Sequence, residues 1–530
     1  MKCTIPEISW HNRDPVLSID IQRTEKKSDE DPFWRLATGG ADTHVLIWHL
    51  RVNDLGAASV SCVADLERHQ KAVNVVRFSP SGEILATGDD ESAIILWKQK
   101  EESVEIPSLD DENFVNKEQW TVWKVLRGHL EDIYDISWSP DSNFIVSGSV
   151  DNSAIVWDVQ KGRNISILQD YKGFVQGVSW DPLNQSIVTL STDRHCRLID
   201  VKTMKTVQRV HKAVIPTPEG HPLEGQTVRI FHDDTFKSFF RRLTFTIDGS
   251  LIIAPSGIIE PQDSSQRISY ATFVFSRHSL KEPVLVLPSV DESTIAVRCC
   301  PVYFQLREQG PVAVFALPYR MIFAVATQKS VLIYDTQQIA PIAVVSNIHY
   351  TRLTDVAWSS DGQMLVVSST DGYCSIIHFQ KGELGEIYTG DKTIPLKSPQ
   401  VSSRTSPEGK STSKIPPKVE PEKILEFDTD AMDIDIAEKI LSKESEAALP
   451  KDNAAPQLTE DTEDIKLIFE PNTCDVPPEP EKITPPKAEP ENPSKGTPSK
   501  ADVIPVLSSR TPRRVKLITL SSPKRPKEDL

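Results

Sequence analysis

Residues 127–159, RGHLEDIYDISWSPDSNFIVSGSVDNSAIVWDV, constrain the fold more than any other stretch of the chain. Gly128-His129 opens this unit and Trp157-Asp158 closes it. Between them lie short alternating apolar segments, separated by the turn residues Ser139-Pro140-Asp141 and Asp151-Asn152. Period-two alternation bounded by such turns predicts short antiparallel strands. Ser147 follows His129 by 18 residues, Asp151 comes four later and Trp157 six after that. A buried indole N–H and a buried imidazole require partners, and these four side-chain types can satisfy one another. The same spacing recurs along the chain. His69, Thr87, Glu91 and Trp97 keep it, with Glu in the Asp position. Tyr171, Thr189, Asp193 and Ile199 keep it without the His and Trp, and His349, Val367, Asp371 and Ile377 keep two polar members. Thr38, Asp42 and Trp48 match the second half of a first unit, with His11 as partner across an insertion at 23–32.

A fixed period of this kind marks a stacked array, because one unit cannot bury its own apolar face. The 127–159 unit closely resembles a WD repeat, in which four strands form one propeller blade. Two divergent segments complete the count: 241–257 continuing through 271–277 as a fifth blade, and 321–336 as a sixth, with Tyr334-Asp335 in place of Trp-Asp. The fold class expected is all-β, a seven-bladed WD-repeat propeller over 1–385 followed by a disordered tail over 386–530. Ring closure needs the first and last strands paired, which points to Ile8-Ser9-Trp10 as the completing segment of the last blade.

The tail assignment rests on composition. All ten Trp lie between Trp10 and Trp358, whereas from 391 onward there are 21 of the 39 Pro and only two aromatic residues, Phe427 and Phe469. So few large apolar groups cannot offset the entropy of ordering a backbone. The net charge of −16 suits basic partners better than direct wrapping of DNA. Seven scattered Cys without a CxxC pair, an N-terminus without an apolar run, and no stretch long enough to span a membrane point to a reducing, intracellular protein with no membrane contact.

Recurring His, Ser and Asp invite a hydrolase reading. Their recurrence at fixed offsets is the behaviour of scaffolding, since an active site occurs once. GxSxG, GxxxxGK[ST] and HExxH are absent from the sequence. Cys299-Cys300 has no His/Cys cluster beside it and reads as strand burial. The expectation is a protein that is not an enzyme, with no catalytic residues, cofactor or metal.

The irregular parts narrow the class. MKCTIPEISWHNRDPVLSIDIQ, LATGGADTHVLIWHL (36–50) and FHDDTFKSFFRRLTFT (231–246) depart from generic blade sequence. Together they resemble the family of the middle WD-repeat component of chromatin assembly factor 1, from the propeller into the last twenty residues. The related HIR-type chaperones share parts of the pattern. The resemblance implies a nuclear component of a replication- and repair-coupled complex that deposits newly made histones H3 and H4. Its implied partners are the complex's large subunit, a small WD-repeat histone-binding subunit, anti-silencing function protein 1 and the histones, with DNA contacted indirectly. Asp233, Asp234, Arg241 and Arg242 stand out as a candidate specialised surface; alternatively, the neighbouring Phe pair belongs simply to a blade core. A ubiquitin-ligase substrate receptor is a competing class of propeller. Such receptors often carry Arg two residues after the Asp of Trp-Asp, whereas Trp157-Asp158 is followed here by Val159-Gln160.

Two charge blocks divide the tail. Residues 420–481 hold 19 acidic and five basic residues, and 495–527 hold nine basic and one acidic. The acidic block either screens basic partners or acts as a solvated spacer. Within the basic block, Thr511-Pro-Arg-Arg-Val-Lys-Leu-Ile-Thr-Leu520 resembles the B-domain-like motif by which the family binds anti-silencing function protein 1. The resemblance makes Arg513 and Arg514 the charged anchors and Val515, Leu517 and Leu520 the apolar ones, with Thr519 where Pro is often found. Alternating Val515 and Leu517 suit a strand added to a sheet edge. The same stretch, with Pro523-Lys-Arg-Pro-Lys527, also reads as a nuclear-localisation signal. Thr497, Thr511 and Ser522 each precede Pro, with a basic residue at +3, and are candidate phosphorylation sites.

Overall fold

The computed structural model describes residues 1–23, 33–53, 55–100, 117–217, 219–259, 269–289 and 292–391, together with the backbone of Leu517–Ile518. Among these residues there is no helix. Seven antiparallel sheets follow one another along the chain as the blades of a propeller. Their inner strands are Val16–Ile21, Val73–Phe78, Ile133–Trp138, Val175–Trp180, Thr244–Phe245, Thr294–Phe304 and Leu353–Trp358. A two-stranded hairpin, Lys212–Val214 with Thr227–Arg229, lies between blades four and five.

Ring closure comes from the N-terminus, but not from the segment expected. Lys2–Thr4 pairs antiparallel with Cys374–His378, Cys3 opposite Ile377, and supplies the outer strand of blade seven. Pro6 has no N–H to donate, so the ladder stops before Ile8-Ser9-Trp10. Trp10 is instead fully buried, its ring 4.7 Å from that of Trp48, between blades seven and one. At the other end the fold continues past 385. Ile387 bridges to Phe304, and the Tyr388 ring packs 5.5 Å from Tyr319. Apart from Leu517–Ile518, the tail beyond 391, with the acidic block and all three phosphorylation candidates, lies outside the described residues.

The polar tetrads close as hydrogen-bonded chains in three blades. In blade three the Trp157 indole donates to Ser147 Oγ at 2.8 Å, His129 Nε2 lies 2.7 Å from the same oxygen, and His129 Nδ1 lies 2.9 Å from Asp151. Blade one repeats this with Trp48, Thr38, His11 and Asp42, including the His11 contact across the insertion. Blade two uses Trp97, Thr87 and His69, but the carboxylate is Asp89, 2.6 Å from His69 Nδ1, and not Glu91. Asp89 accepts from the backbone of Glu91 and Ala93 as well, so the shorter carboxylate holds the turn and the imidazole together. Blade four substitutes Tyr171–Thr189 at 3.1 Å, with Arg197 lying over the Tyr171 ring and bonding Asp193. In blade seven Val367 leaves no acceptor, and His349 takes Ser375 at 2.9 Å along with Asp371. Cys299 and Cys300 sit on the inner strand of blade six, and burial pushes the Cys300 thiol up to about 12.

Two outcomes test this framework. Trp157→Ala removes a fully buried ring and strands the Ser147–His129 pair. It should cost about 3–5 kcal/mol in chemical unfolding. The second concerns acid. Burial pushes the Asp151 carboxyl up, but the His129 and Ser153 hydrogen bonds outweigh it and hold the group at about 2, below the ordinary 3.8. A depressed carboxyl stabilises the fold above its unfolded pKa, and the contribution is lost as pH falls through the folded value. The acid limb of the stability profile, between about pH 4 and pH 2, should therefore be shallower by up to one proton in Asp151→Asn than in the parent.

Candidate functional site

The segment between the hairpin and blade five, Phe231 to Arg242, crosses one mouth of the central channel. Its anchors are spread over blades three, four, six and seven. The Asp233 carboxylate is held well below the usual range by the Thr235 hydroxyl and backbone and by an ion pair with Arg194 of blade four. Phe236 packs into the core shared by blades six and seven. The carbonyl of Lys237 accepts from Arg352 of blade seven at 2.7 Å. Phe239 and Phe240 meet the Tyr134 ring of blade three at 5.9 and 6.4 Å.

Beneath this strap lie Arg241 and Arg242. Both are fully buried, which corrects their assignment to a surface. Arg241 donates to Gln176 Oε1 at 2.7 Å and to the carbonyls of His232 and Asp233, tying the strap to blade four. Its backbone approaches so closely that a Cβ on Gly177 would stand 1.9 Å from the Arg241 carbonyl oxygen, so only glycine fits there. Arg242 reaches further. Its guanidinium donates to the carbonyls of Leu17, Asn74 and Thr354, in blades one, two and seven. It pairs with Asp355 at 3.0 Å and lies 3.7 Å from Asp135 of blade three. Its backbone bonds Ile295 and Val297 of blade six, and its charge sits 3.9 Å from the centre of the Phe240 ring. Burial lowers the Arg242 pKa to about 10 and that of Arg241 to about 9.

Sequence reasoning missed the rest of this hub. Asp355 pairs with Arg77 at 2.8 Å and with Arg298 at 3.8 Å as well as with Arg242, and accepts from Ser18 Oγ at 2.9 Å. Burial raises its carboxyl, yet the guanidiniums of Arg242, Arg77 and Arg298 together hold it far below the ordinary range. Burial raises Asp20 and Asp135 above that range. A shared irregularity aims these groups: the register shifts after the first residue of the inner strand, at Val16/Ser18, Ile133/Asp135 and Leu353/Asp355. Such bulges re-aim the residue that follows. The available signal was an acid within an apolar inner strand, IYDISW and LTDVAW, at the same place in two repeats. The opposite mouth opens into a cavity of about 430 Å³, lined by Arg77 and Arg298 with Trp138, Trp180 and Trp358.

The outward side of the strap differs from its underside. Phe239 is 64% exposed although it is a large apolar side chain, and Asp234 is exposed beside it. The face therefore offers contacts, while the charges of Arg241 and Arg242 are locked beneath it. Of the tail motif, the described residues hold only Leu517–Ile518, as a backbone strand beside Ala343–Ser346 of blade six; Arg513, Arg514, Val515 and Leu520 lie outside them.

A family described as the CAF1B/HIR1 beta-propeller domain matches residues 1–384. The chromatin assembly factor 1 B-subunit of Gallus gallus is 49% identical over 440 residues, covering 80% of this chain and 74% of its own. The chain belongs to the chromatin assembly factor 1 B-subunit family. The protein of that name in Saccharomyces cerevisiae is 35% identical, covering 71% of this chain and 86% of its own. Protein HIR1 of Eremothecium gossypii is more distant, 28% identical over 68% of this chain and 45% of its own.

If Arg242 ties the ring together, Arg242→Ala should cost about 3–5 kcal/mol in chemical unfolding, because it removes one partner from a buried ion cluster. Phe239→Ala, three positions away and mostly exposed, should cost no more than about 1.5 kcal/mol, the worth of its contact with the Tyr134 ring.

Proposed function

We propose that the protein is a non-enzymatic, nuclear scaffold within a histone chaperone complex that deposits new H3 and H4 onto DNA during replication and repair. The observation that carries this reading is 49% identity over 440 residues to a protein named as a component of chromatin assembly factor 1. The relatives named HIR1 are less similar, and this chain covers under half of their length, which favours the replication-coupled reading over the HIR type. Val159-Gln160 after Trp157-Asp158 disfavours a ubiquitin-ligase receptor. The absence of enzyme activity is supported by the state of the His–Ser–Asp sets. The His129 side chain is wholly buried, and Ser147 already serves both His129 and Trp157, so this serine is not presented to a substrate.

On this reading the propeller docks on the large subunit, near the small histone-binding subunit, and DNA is reached through the assembled complex. The exposed outer side of the strap, with Asp234 and Phe239, is the proposed contact face, while Asp233, Arg241 and Arg242 shape it from beneath. The tail segment 511–520 recruits anti-silencing function protein 1 by adding a strand to its sheet. Arg513 and Arg514 form paired hydrogen bonds to carboxylates, and Val515, Leu517 and Leu520 fill apolar pockets. Phosphorylation at Thr511 would place roughly −1.5 to −2 charges beside the Arg pair and weaken this contact. Thr497 and Ser522 are the other candidate sites.

Calorimetry on a peptide of residues 505–525 tests the recruitment step. The parent peptide should bind anti-silencing function protein 1 alone, and more weakly at high salt. Arg513→Glu with Arg514→Glu should abolish binding, and phosphorylated Thr511 should reduce it. Equal affinity of all three peptides would leave the stretch as a localisation signal only.

A further inference from the structure

The outer strand of a propeller blade is a sheet edge, with backbone donors and acceptors open to pairing. Charged residues and prolines along an edge discourage it from acquiring another strand. Six blades have such a guard in their outer strand: Asp65, Lys124, Arg163, Lys205, Pro288 and, in blade seven, Lys2. Blade six does not. Its outer strand, Ala343–Ser346, reads AVVS, with Val345 buried and Val344 half-buried.

This unguarded edge carries a fifth strand. Leu517–Ile518 runs antiparallel to it, Val344 opposite Ile518 and Val345 opposite Leu517, while no other blade among the described residues exceeds four strands. The added strand comes from the centre of the basic tail motif. The tail thus meets, on its own propeller, the same geometry in which an extended peptide is recognised by a sheet edge.

We propose that the outer edge of blade six is a docking site for the chain's own 511–520 segment, which must leave that edge before a partner's sheet can take it. The competition rests on the recruitment reading above; the docking itself does not. A two-residue ladder is a weak clasp, but the tether makes rebinding intramolecular and keeps the local concentration of the strand high. A folded partner adding this strand to its sheet needs it clear of the propeller wall, so the clasp sets a threshold that a weak or wrong partner fails to cross.

The test uses the full chain in a Cys474→Ser background. Val344→Cys with Ile518→Cys should form an intramolecular disulfide under mild oxidation, in clear excess over the mismatched pair Val344→Cys with Ser508→Cys. Independently, Leu517→Pro with Ile518→Pro should speed amide exchange across Ala343–Ser346 at least tenfold while leaving blades one to three unchanged. Cross-linking no better than the mismatched pair, or exchange that does not change, overturns the docking. The oxidised chain should bind anti-silencing function protein 1 at least tenfold more weakly than the same chain after reduction, and equal affinity overturns the competition. If the reduced chain does not bind that protein at all, the recruitment reading fails, while cross-linking and exchange still decide the docking.

Discussion

One buried cation holds the centre of this molecule. Seven wedge-shaped sheets meeting at an axis bring the ends of their inner strands together, and the carbonyls there lose water without gaining strand partners. Arg242 answers three of them at once, in blades one, two and seven, while Asp355 and Asp135 balance its charge. Arg241 adds blade four, and the backbone of Arg242 adds blade six. A lysine has no planar fork with which to reach several acceptors in different directions. The cost of burying so much charge is offset only because the partners are fixed in place by the bulged inner strands.

The hub also explains the division of labour within the strap. Its underside is committed to the ring, so Arg241 and Arg242 are unavailable to a partner, whereas Phe239 and Asp234 are exposed. A contact surface mounted on a rigid base loses little entropy on binding. In the proposed recruitment the tail presents a short strand instead, and Leu517–Ile518 pairs with the outer edge of blade six within the same chain.

What could be read from the sequence follows from what repeats. The His129–Ser147–Asp151–Trp157 chain is legible because three blades share its offset of 10 from Ser or Thr to Trp, and buried polar groups must find partners. In blade two that spacing points to Glu91, whereas Asp89, two residues earlier at the same turn, makes the contact with His69. The need for ring closure points to Ile8-Ser9-Trp10, whereas Lys2–Thr4 makes the pairing and Trp10 fills a core between blades seven and one. The hub was the least legible part. Asp135 and Asp355 recur at the same place in two inner strands, but only the closed ring brings them to Arg77 and Arg298. The Phe-Phe-Arg-Arg run was visible as unusual, but its Arg pair turns inward because the channel, and not solvent, supplies its partners.

On the proposed function, assembly resides on the propeller and recruitment on the tail strand, two separate parts of one chain. Native mass spectrometry of the full chain mixed with the large subunit and anti-silencing function protein 1 decides between this division and a shared site. A ternary complex, with one copy of this chain bridging both partners, is the expected result. Two binary complexes that never combine, each partner displacing the other, would overturn the division.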